Sequence, residues 1–185
     1  MTFSEQQLVD CAAAFDNHGC HGGLPSHAFE YIKYNDGIES DATYPYKGKL
    51  NNCTYKKEAK IGYVKFGSFN ITQGDEKQLA ERLYSVGPMS IAFKVINGFN
   101  RYVSGVYHST HCGTQPKDVN HAVVATGYGN EGGLDFWNVK NSWGPSWGNK
   151  GYFKIQRGKN MCAVAQCNSY PLVDKASLEN LEEIA

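Results

Sequence analysis

The sequence has no excess of charge of either sign and no long apolar run. Its 185 residues include 18 basic and 18 acidic side chains, so the formal net charge at pH 7 is zero. A neutral surface does not steer polyanions towards a protein, so we expect neither nucleic acid nor a membrane as a partner. No apolar stretch approaches the roughly 20 residues that cross a bilayer, and no signal-peptide pattern opens the chain.

Cysteine is also scarce. Six residues are too few for a small disulfide scaffold but suit an exported enzyme with a few bridges. Two sequons for N-glycosylation, which begin at Asn52 and Asn70, favour the same compartment. The sequence therefore predicts a lysosomal, vacuolar or secreted protein. Because it shows no export signal, we expect further residues upstream of Met1.

Helical patterns come first along the chain and strand patterns follow. Ser4 to Gln7 reads as a capping box, in which Ser4 caps a helix and the Gln7 side chain reaches back. The glycine-rich segment 18–23 is predicted to contain no helix, and 37–67 is predicted to be loop. Further helices are predicted from Pro25 and from Asp75 to Val86, and strand-like runs at Met89 to Val95, His121 to Tyr128, Phe136 to Val139 and Gly151 to Ile155. This segregated order predicts an α+β fold with two lobes.

A histidine at the start of an apolar run, His121, is followed further along the chain by Asn141-Ser142-Trp143-Gly144. An asparagine that accepts one imidazole N–H fixes the tautomer, and Trp143 is placed to shield that bond from water. A cysteine protease uses this arrangement, since the imidazole takes the thiol proton and the thiolate attacks a peptide carbonyl. A lone histidine is more often a satisfied core residue, but the neighbouring Asn-Ser-Trp-Gly favours the catalytic interpretation.

Segments along nearly the whole chain resemble the papain family of cysteine peptidases. They are Ser4 to Cys11, Gly19 to Gly23, Thr43 to Tyr46, Asn120 to Ala122 and Asn141 to Gly144. Asn70 to Thr72, Gly158 to Cys162 and Ser169 to Pro171 resemble the cathepsin H and aleurain branch in particular. The resemblance implies a papain-like α+β fold, with the remainder of the helical lobe in 1–67, a β-barrel-like lobe in 68–172 and a loosely held acidic tail in 173–185.

The resemblance also implies roles for individual residues. His121 would be the general base and acid, and Asn141 would orient it. Gly22 and Gly23 would offer backbone groups to an extended peptide. The other residues implied in substrate binding are Leu24, Pro25, Ala92, Asn120, Ala122 and Trp143. A tight turn that needs positive φ is a second, compatible interpretation of the glycine pair, and ordinary packing is the alternative for Pro25 and the alanines.

The chain departs from the family at its nucleophile. Neither the cysteine-containing nucleophile motif nor the glutamine of the oxyanion hole is present. The family places its histidine and asparagine roughly 130–150 residues after that cysteine, which falls before Met1 when counted back from His121. We therefore expect the central helix with the nucleophile to lie upstream, and this chain alone to be inactive. The alternative is a catalytically dead relative that binds peptides or a partner.

The resemblance accounts for the six cysteines as well. It implies the disulfides Cys11–Cys53 and Cys112–Cys162, which leave two cysteines unpaired. In the family, a cysteine placed like Cys20 bridges to one just ahead of the nucleophile. In the cathepsin H branch, one placed like Cys167 holds a propeptide-derived mini-chain that restricts cleavage to amino termini. A free or otherwise paired thiol is the alternative for Cys167.

Two clusters supply ligand types for zinc, His18 to His21 and His108 to Cys112. Neither has the Cys-x₂-Cys or His-x₃₋₅-His spacing of structural zinc sites. We therefore expect no metal, and no organic cofactor is implied. The partners that the resemblance implies are a peptide or protein substrate, the upstream segment, the mini-chain and cystatin-type inhibitors.

Overall fold

The computed structural model describes residues 2–173, which divide into two compact units. Residues 2–69 and 170–173 belong to the first unit, and residues 70–169 to the second. The helices are α1 (Glu5–Cys11), α2 (Pro25–Tyr34) and α3 (Glu76–Ser85). The strands are β1 (Ile38–Glu39), β2 (Lys60–Gly62), β3 (Gly67–Asn70), β4 (Met89–Phe93), β5 (Val106–Tyr107), β6 (His121–Glu131), β7 (Leu134–Lys140), β8 (Tyr152–Gln156) and β9 (Ser169–Leu172). The acidic tail from residue 174 onwards lies outside the described residues.

Helix α1 begins at the predicted cap, but only half of the predicted capping box forms. The Ser4 hydroxyl accepts a hydrogen bond from the Gln7 backbone N–H at 3.0 Å, which confirms the cap. The predicted return bond from the Gln7 side chain is wrong. That side chain is fully buried and bonds to Tyr31, Gly37 and Glu39, while the Ser4 N–H donates to the Glu39 carbonyl at 2.9 Å. A buried amide must find partners, and these lie inside the unit rather than at the cap.

Helix α2 begins at Pro25, as predicted, because a fixed φ and a missing N–H suit the first helical position. The side chains of Tyr31 and Ile32 enter the apolar core of the first unit. The prediction that segment 18–23 contains no helix is wrong for Gly19–His21, which form one turn of 3-10 helix. Such a turn needs a single bond, here from the His21 N–H to the His18 carbonyl at 3.0 Å.

The segment 37–67 is not entirely loop. Strands β1 and β2 pair antiparallel inside it, with Ile38 opposite Gly62. Ile38 is buried, and it joins the same core as the residues of α2. Strands of two and three residues are too short for alternation to show in the sequence, which is why they were not predicted.

Helix α3 begins one residue after the predicted start at Asp75 and ends one residue before the predicted end at Val86. The Asp75 side chain accepts from the Gln78 backbone N–H at 2.8 Å and caps the helix. Leu79 and Leu83 are buried on its apolar side. The helix ends at Ser85, just before Gly87-Pro88.

The second unit contains a sheet in the order β4-β6-β7-β8-β5. The long strands β6 and β7 form an antiparallel hairpin, and β4 lies against the other edge of β6 with Phe93 opposite His121. Four of its strands match the predicted runs. Strands β3, β5 and β9 were not predicted. Strands β3 and β5 have only four and two residues, and β9 contains Pro171, a residue that disfavours strands. The predicted α+β class is confirmed.

Aromatic side chains fill the core of the second unit. Phe93, Phe99, Trp137 and Phe153 are each almost completely buried. Phe93 in β4 and Phe153 in β8 come from strands that are not neighbours in the sheet, and both contact Phe99. Among residues 2–173, no helix is long and apolar enough to cross a membrane.

Candidate active site

The second unit brings His121 and Asn141 into direct contact. His121 is the first residue of β6, and Asn141 directly follows β7, the neighbouring strand of the hairpin. The imidazole Nε2 lies 2.8 Å from the Asn141 side-chain oxygen Oδ1. Asn141 is buried, whereas His121 is partly exposed.

The surroundings of Asn141 decide which tautomer His121 adopts. Its Oδ1 also accepts the backbone N–H of Ser142 at 2.8 Å. Two donors therefore converge on that oxygen, so the amide must present its oxygen and His121 must carry its proton on Nε2. The other ring nitrogen, Nδ1, then has a free lone pair. A neutral imidazole held in this way can accept a proton at Nδ1 from an acid within hydrogen-bond distance of that nitrogen.

Backbone hydrogen bonds hold both residues of the pair in position. The Asn141 N–H donates to the Gly151 carbonyl at 2.9 Å. The residue before the histidine, Asn120, pairs its side-chain amide with Val95: Oδ1 accepts from the Val95 N–H at 2.8 Å and Nδ2 donates to the Val95 carbonyl at 3.1 Å. The residue directly before His121 is therefore fixed to the segment that follows β4.

Two aromatic rings lie near the imidazole. The Trp143 ring lies 5.3 Å from the His121 ring, measured between centroids, and the Phe93 ring lies 5.8 Å from it. Trp143 in turn contacts Trp147 and Phe99. Trp143 is itself 37% exposed, and its predicted shielding of the bond between His121 and Asn141 from water stays a prediction. The sequence identified Trp143, but the contacts of Phe93, Phe99 and Trp147 were not predicted. Of these three residues, only Trp147 could have been found from the sequence, because Trp147-Gly148 repeats the pair Trp143-Gly144.

The two alanines implied in substrate binding lie beside His121. Ala92 and Ala122 are directly opposite each other in the β4–β6 register. Ala122 is exposed, whereas Ala92 is buried. Their role in a substrate pocket stays a prediction.

The glycine pair lies in the first unit, where each glycine has a structural reason to be there. Gly22 has φ of +105°, a conformation that side chains disfavour. At Gly23 a Cβ atom would collide with the Asn17 side-chain oxygen, which accepts the Leu24 N–H at 3.1 Å. The turn interpretation thus has direct structural support. The binding roles of Gly22, Gly23, Leu24 and Pro25 stay predictions.

Four of the six cysteines form the two disulfides that the resemblance implies, Cys11–Cys53 and Cys112–Cys162. Cys20 is free and exposed, and Cys167 is free and half-buried. Burial raises the pKa of the Cys167 thiol, which lowers its thiolate fraction at neutral pH.

Within residues 2–173, no group of three or more histidine, cysteine, aspartate or glutamate side chains is arranged to hold a metal ion. The pairing of Cys112 with Cys162 also removes one of the thiolates that a zinc site would need.

Comparison with known proteins shows which family the chain resembles over most of its length. The family model for papain family cysteine proteases matches residues 1–172. The chain is 57% identical to the oryzain gamma chain of Oryza sativa subsp. japonica over 173 residues. This match covers 94% of this chain and 48% of that protein. It is 54% identical to pro-cathepsin H of Bos taurus over 169 residues, and this match covers 91% of this chain and 50% of that protein. It thus spans about half the length of these curated relatives.

A solved structure shows the same fold. The digestive procathepsin L2 proteinase from Tenebrio molitor larval midgut superposes with a TM-score of 0.87 at 41% sequence identity, over 92% of this chain and 53% of that one. The predicted papain-like fold is therefore confirmed. With a matching family model over nearly its whole length and relatives more than half identical, the chain belongs to the papain family of cysteine proteases.

Proposed function

We propose that this chain is the C-terminal part of a cathepsin H-type cysteine peptidase, whose nucleophilic cysteine lies in an upstream segment. The observation that supports this most directly is the 2.8 Å contact between His121 and Asn141, which leaves Nδ1 of the imidazole free to serve a thiol. The length of the relatives supports the upstream segment, since the chain spans about half of each.

The reaction would proceed through a covalent acyl-enzyme. The upstream thiol gives its proton to Nδ1 of His121, and the thiolate attacks the peptide carbonyl. His121 then returns that proton to the leaving amine as the C–N bond breaks. A water molecule, deprotonated by the same imidazole, cleaves the thioester and restores the thiol. Asn141 holds the ring in one orientation throughout, and it stabilises the imidazolium through the Nε2–H bond.

We further propose that the enzyme acts from the amino terminus of its substrates, in a lysosome or vacuole or after secretion. Cys167 supports the first part, because it is a free, half-buried thiol at the position where the resemblance to the cathepsin H branch implies an attached mini-chain. Gly22, Gly23, Leu24, Pro25, Ala92, Asn120, Ala122 and Trp143 would contact the substrate. Glycosylation at Asn52 and Asn70, and inhibition by cystatin-type proteins, follow from the same proposal.

The test uses the complete protein with its upstream residues. Replacing the base, His121→Ala, should lower kcat/KM for a fluorogenic peptide by roughly 10²–10⁴. A matched control is His108→Ala, an exposed histidine of the same unit, which should leave the rate unchanged. A substrate with a free amino terminus should be cleaved faster than its N-blocked counterpart.

Two results would separate this proposal from a non-catalytic relative. If the complete protein neither cleaves peptides nor reacts with a thiol-directed epoxide, yet retains peptide binding, it is a pseudo-peptidase. If His121→Ala retains full activity, the catalytic pair has been assigned wrongly.

A further inference from the structure

The two N-glycosylation sequons lie in different structural settings. Asn52-Cys53-Thr54 lies in the first unit, in a segment without regular secondary structure. Asn70-Ile71-Thr72 begins at the last residue of β3. Both asparagine side chains are exposed, so a glycan on either one is compatible with the folded units.

The first sequon contains a disulfide at its central position. Cys53 is joined to Cys11 across a sequence separation of 42 residues. A glycosyltransferase has to draw the acceptor asparagine and the threonine two residues later into its own active site, which requires a pliable backbone between them. The disulfide anchors the residue between Asn52 and Thr54 to helix α1 and removes that freedom.

Hydrogen bonds fix the backbone on both sides of the disulfide. The Asn51 N–H donates to the Asp10 carboxylate at 2.8 Å. The Thr54 N–H donates to the Tyr44 hydroxyl at 3.1 Å, and that hydroxyl donates to Asp10 at 3.0 Å. Once these contacts exist, the Asn52 side chain is still exposed, but the backbone of the residues on either side of it is held in one conformation. The folded loop is therefore a poor acceptor.

The partners that close this loop all precede it along the chain. A protein enters the secretory compartment with its amino terminus first, so Cys11, Asp10 and Tyr44 are present when Asn52 arrives. Disulfide formation takes seconds or longer, and synthesis proceeds at roughly 5–20 residues per second. Closure of the disulfide and glycosylation of Asn52 therefore compete on a similar timescale.

The second sequon stays open for longer, because its partners follow it along the chain. The Thr72 N–H donates to the Gln78 side chain at 2.7 Å, and the Ile71 N–H donates to the Asn168 carbonyl at 2.9 Å. Asn168 is among the last of the described residues to be synthesised. Asn70 is consequently available as an unstructured acceptor until nearly the whole second unit has been made.

We propose that Asn52 is a conditional glycosylation site, closed whenever the Cys11–Cys53 disulfide forms first, whereas Asn70 is modified in almost every molecule. The order matters in one direction only: a glycan added first to the exposed Asn52 does not prevent the disulfide. The inference rests on the secretory route proposed above.

Each competing step has a defined chemistry. In glycosylation, the Asn52 Nδ2 forms a bond to the first sugar carbon of a lipid-diphosphate-linked oligosaccharide. The bond from that carbon to the diphosphate breaks, Nδ2 loses one proton and the lipid diphosphate leaves. In disulfide formation, the two thiols lose two protons and two electrons to a disulfide-bearing oxidoreductase of the compartment.

The test measures the occupancy of each sequon in the complete protein, expressed in eukaryotic cells with its own export signal. Total cellular protein is digested, and glycopeptides are quantified by mass spectrometry, so a variant that fails to fold is still counted. We expect partial occupancy of Asn52 and near-complete occupancy of Asn70. Cys11→Ser leaves the sequon intact and should raise Asn52 to the level of Asn70. The matched control Cys112→Ser removes the other disulfide and should leave Asn52 unchanged.

A second measurement avoids substitution altogether. A short exposure of wild-type cells to dithiothreitol during synthesis keeps Cys53 reduced, and it should raise the occupancy of Asn52 alone. Full occupancy of Asn52 in untreated wild type, or no rise in either Cys11→Ser or reduced cells, would overturn the inference while Asn70 remained glycosylated. An unmodified Asn70 would instead overturn the secretory route itself, and the inference with it.

Discussion

At the scale of single residues, the loop behind Asn141 contains an unusual backbone conformation. Lys150 has φ of +55°, a left-handed conformation that costs a residue with a Cβ roughly 1–2 kcal/mol relative to glycine. Its side chain is exposed. It stands next to Gly151, whose carbonyl accepts the Asn141 N–H at 2.9 Å. Strain at Lys150 therefore lies one residue from a contact that positions Asn141, the partner of His121.

We predict that Lys150→Gly stabilises the complete protein by about 0.5–1 kcal/mol. Relief of the left-handed strain outweighs the extra chain entropy that glycine gives to the unfolded state. For a protein of this size, the thermal midpoint should rise by about 2–4 °C per kcal/mol. The matched control is Lys159→Gly, at an exposed position that is not among the described residues with positive φ. It should lower the midpoint, and a rise in both variants would contradict the explanation.

The tautomer of His121 is a residue-scale property that the sequence could only suggest. The motif gave the identity of the two partners and the likeness to the family gave their roles. The direction of the Asn141 amide, however, depends on the Ser142 N–H, which bonds to the same oxygen as the imidazole. That contact is made within a turn whose geometry no residue pattern encodes, so the orientation of the amide could not be predicted from the sequence.

At the scale of elements, one buried side chain joins three pieces of secondary structure. Gln7 in α1 donates to the Tyr31 hydroxyl of α2 at 3.0 Å and to the Gly37 carbonyl at 3.2 Å. Its oxygen accepts the Glu39 N–H of β1 at 2.8 Å. Gln7 has no exposed surface. The packing of the first unit therefore depends on an amide as well as on apolar contacts.

We predict that Gln7→Ala destabilises the protein by about 3 kcal/mol, because it removes three buried hydrogen bonds and opens a cavity. Urea unfolding of the complete protein, followed by far-UV circular dichroism, would measure the change. The control Gln73→Ala removes an exposed glutamine and should alter the free energy of unfolding by less than about 0.5 kcal/mol. Equal effects of the two substitutions would show that the amide network carries no stability.

Long or well-capped elements could be predicted from the sequence, and short ones could not. Helix α3 has an aspartate cap, two leucines at helical spacing and a Gly-Pro stop, so its limits follow from local chemistry. Strands β1, β2 and β5 have two or three residues and exist only because a distant partner pairs with them. The second half of the capping box at Ser4 does not form for the same reason. The Gln7 side chain bonds to residues that are distant in sequence instead of to the start of its own helix.

At the scale of the whole molecule, the two units have cores of different size. In the first unit, the main cluster of buried apolar residues consists of Ala12, Tyr31, Ile32, Ile38 and Val64. Several large apolar side chains of that unit are exposed: Phe3, Leu24, Tyr34, Tyr46, Leu50 and Tyr63. The second unit also exposes large apolar side chains, but it buries a larger set, which includes Trp137, Phe93, Phe99, Phe153, Leu79, Ile91 and Ile155. The first unit therefore has the smaller internal source of stability.

We predict that, in the 185-residue chain produced alone, the amides of α1 and α2 exchange with solvent much faster than those of β6 and β7. Each buried apolar side chain contributes roughly 1.5–3 kcal/mol against a total stability of about 5–15 kcal/mol, so a core that lacks one helix should open readily. The exposed apolar surface should also make the chain prone to aggregation. Hydrogen exchange followed by mass spectrometry would measure both units in one sample.

The complete protein provides the control. There, the proposed upstream helix should slow exchange in α1 and α2, whereas exchange in β6 and β7, the internal control, should stay unchanged. Equal protection of the two units in the short chain would mean that the first unit needs no upstream segment, and the case for a missing helix would lose its physical basis.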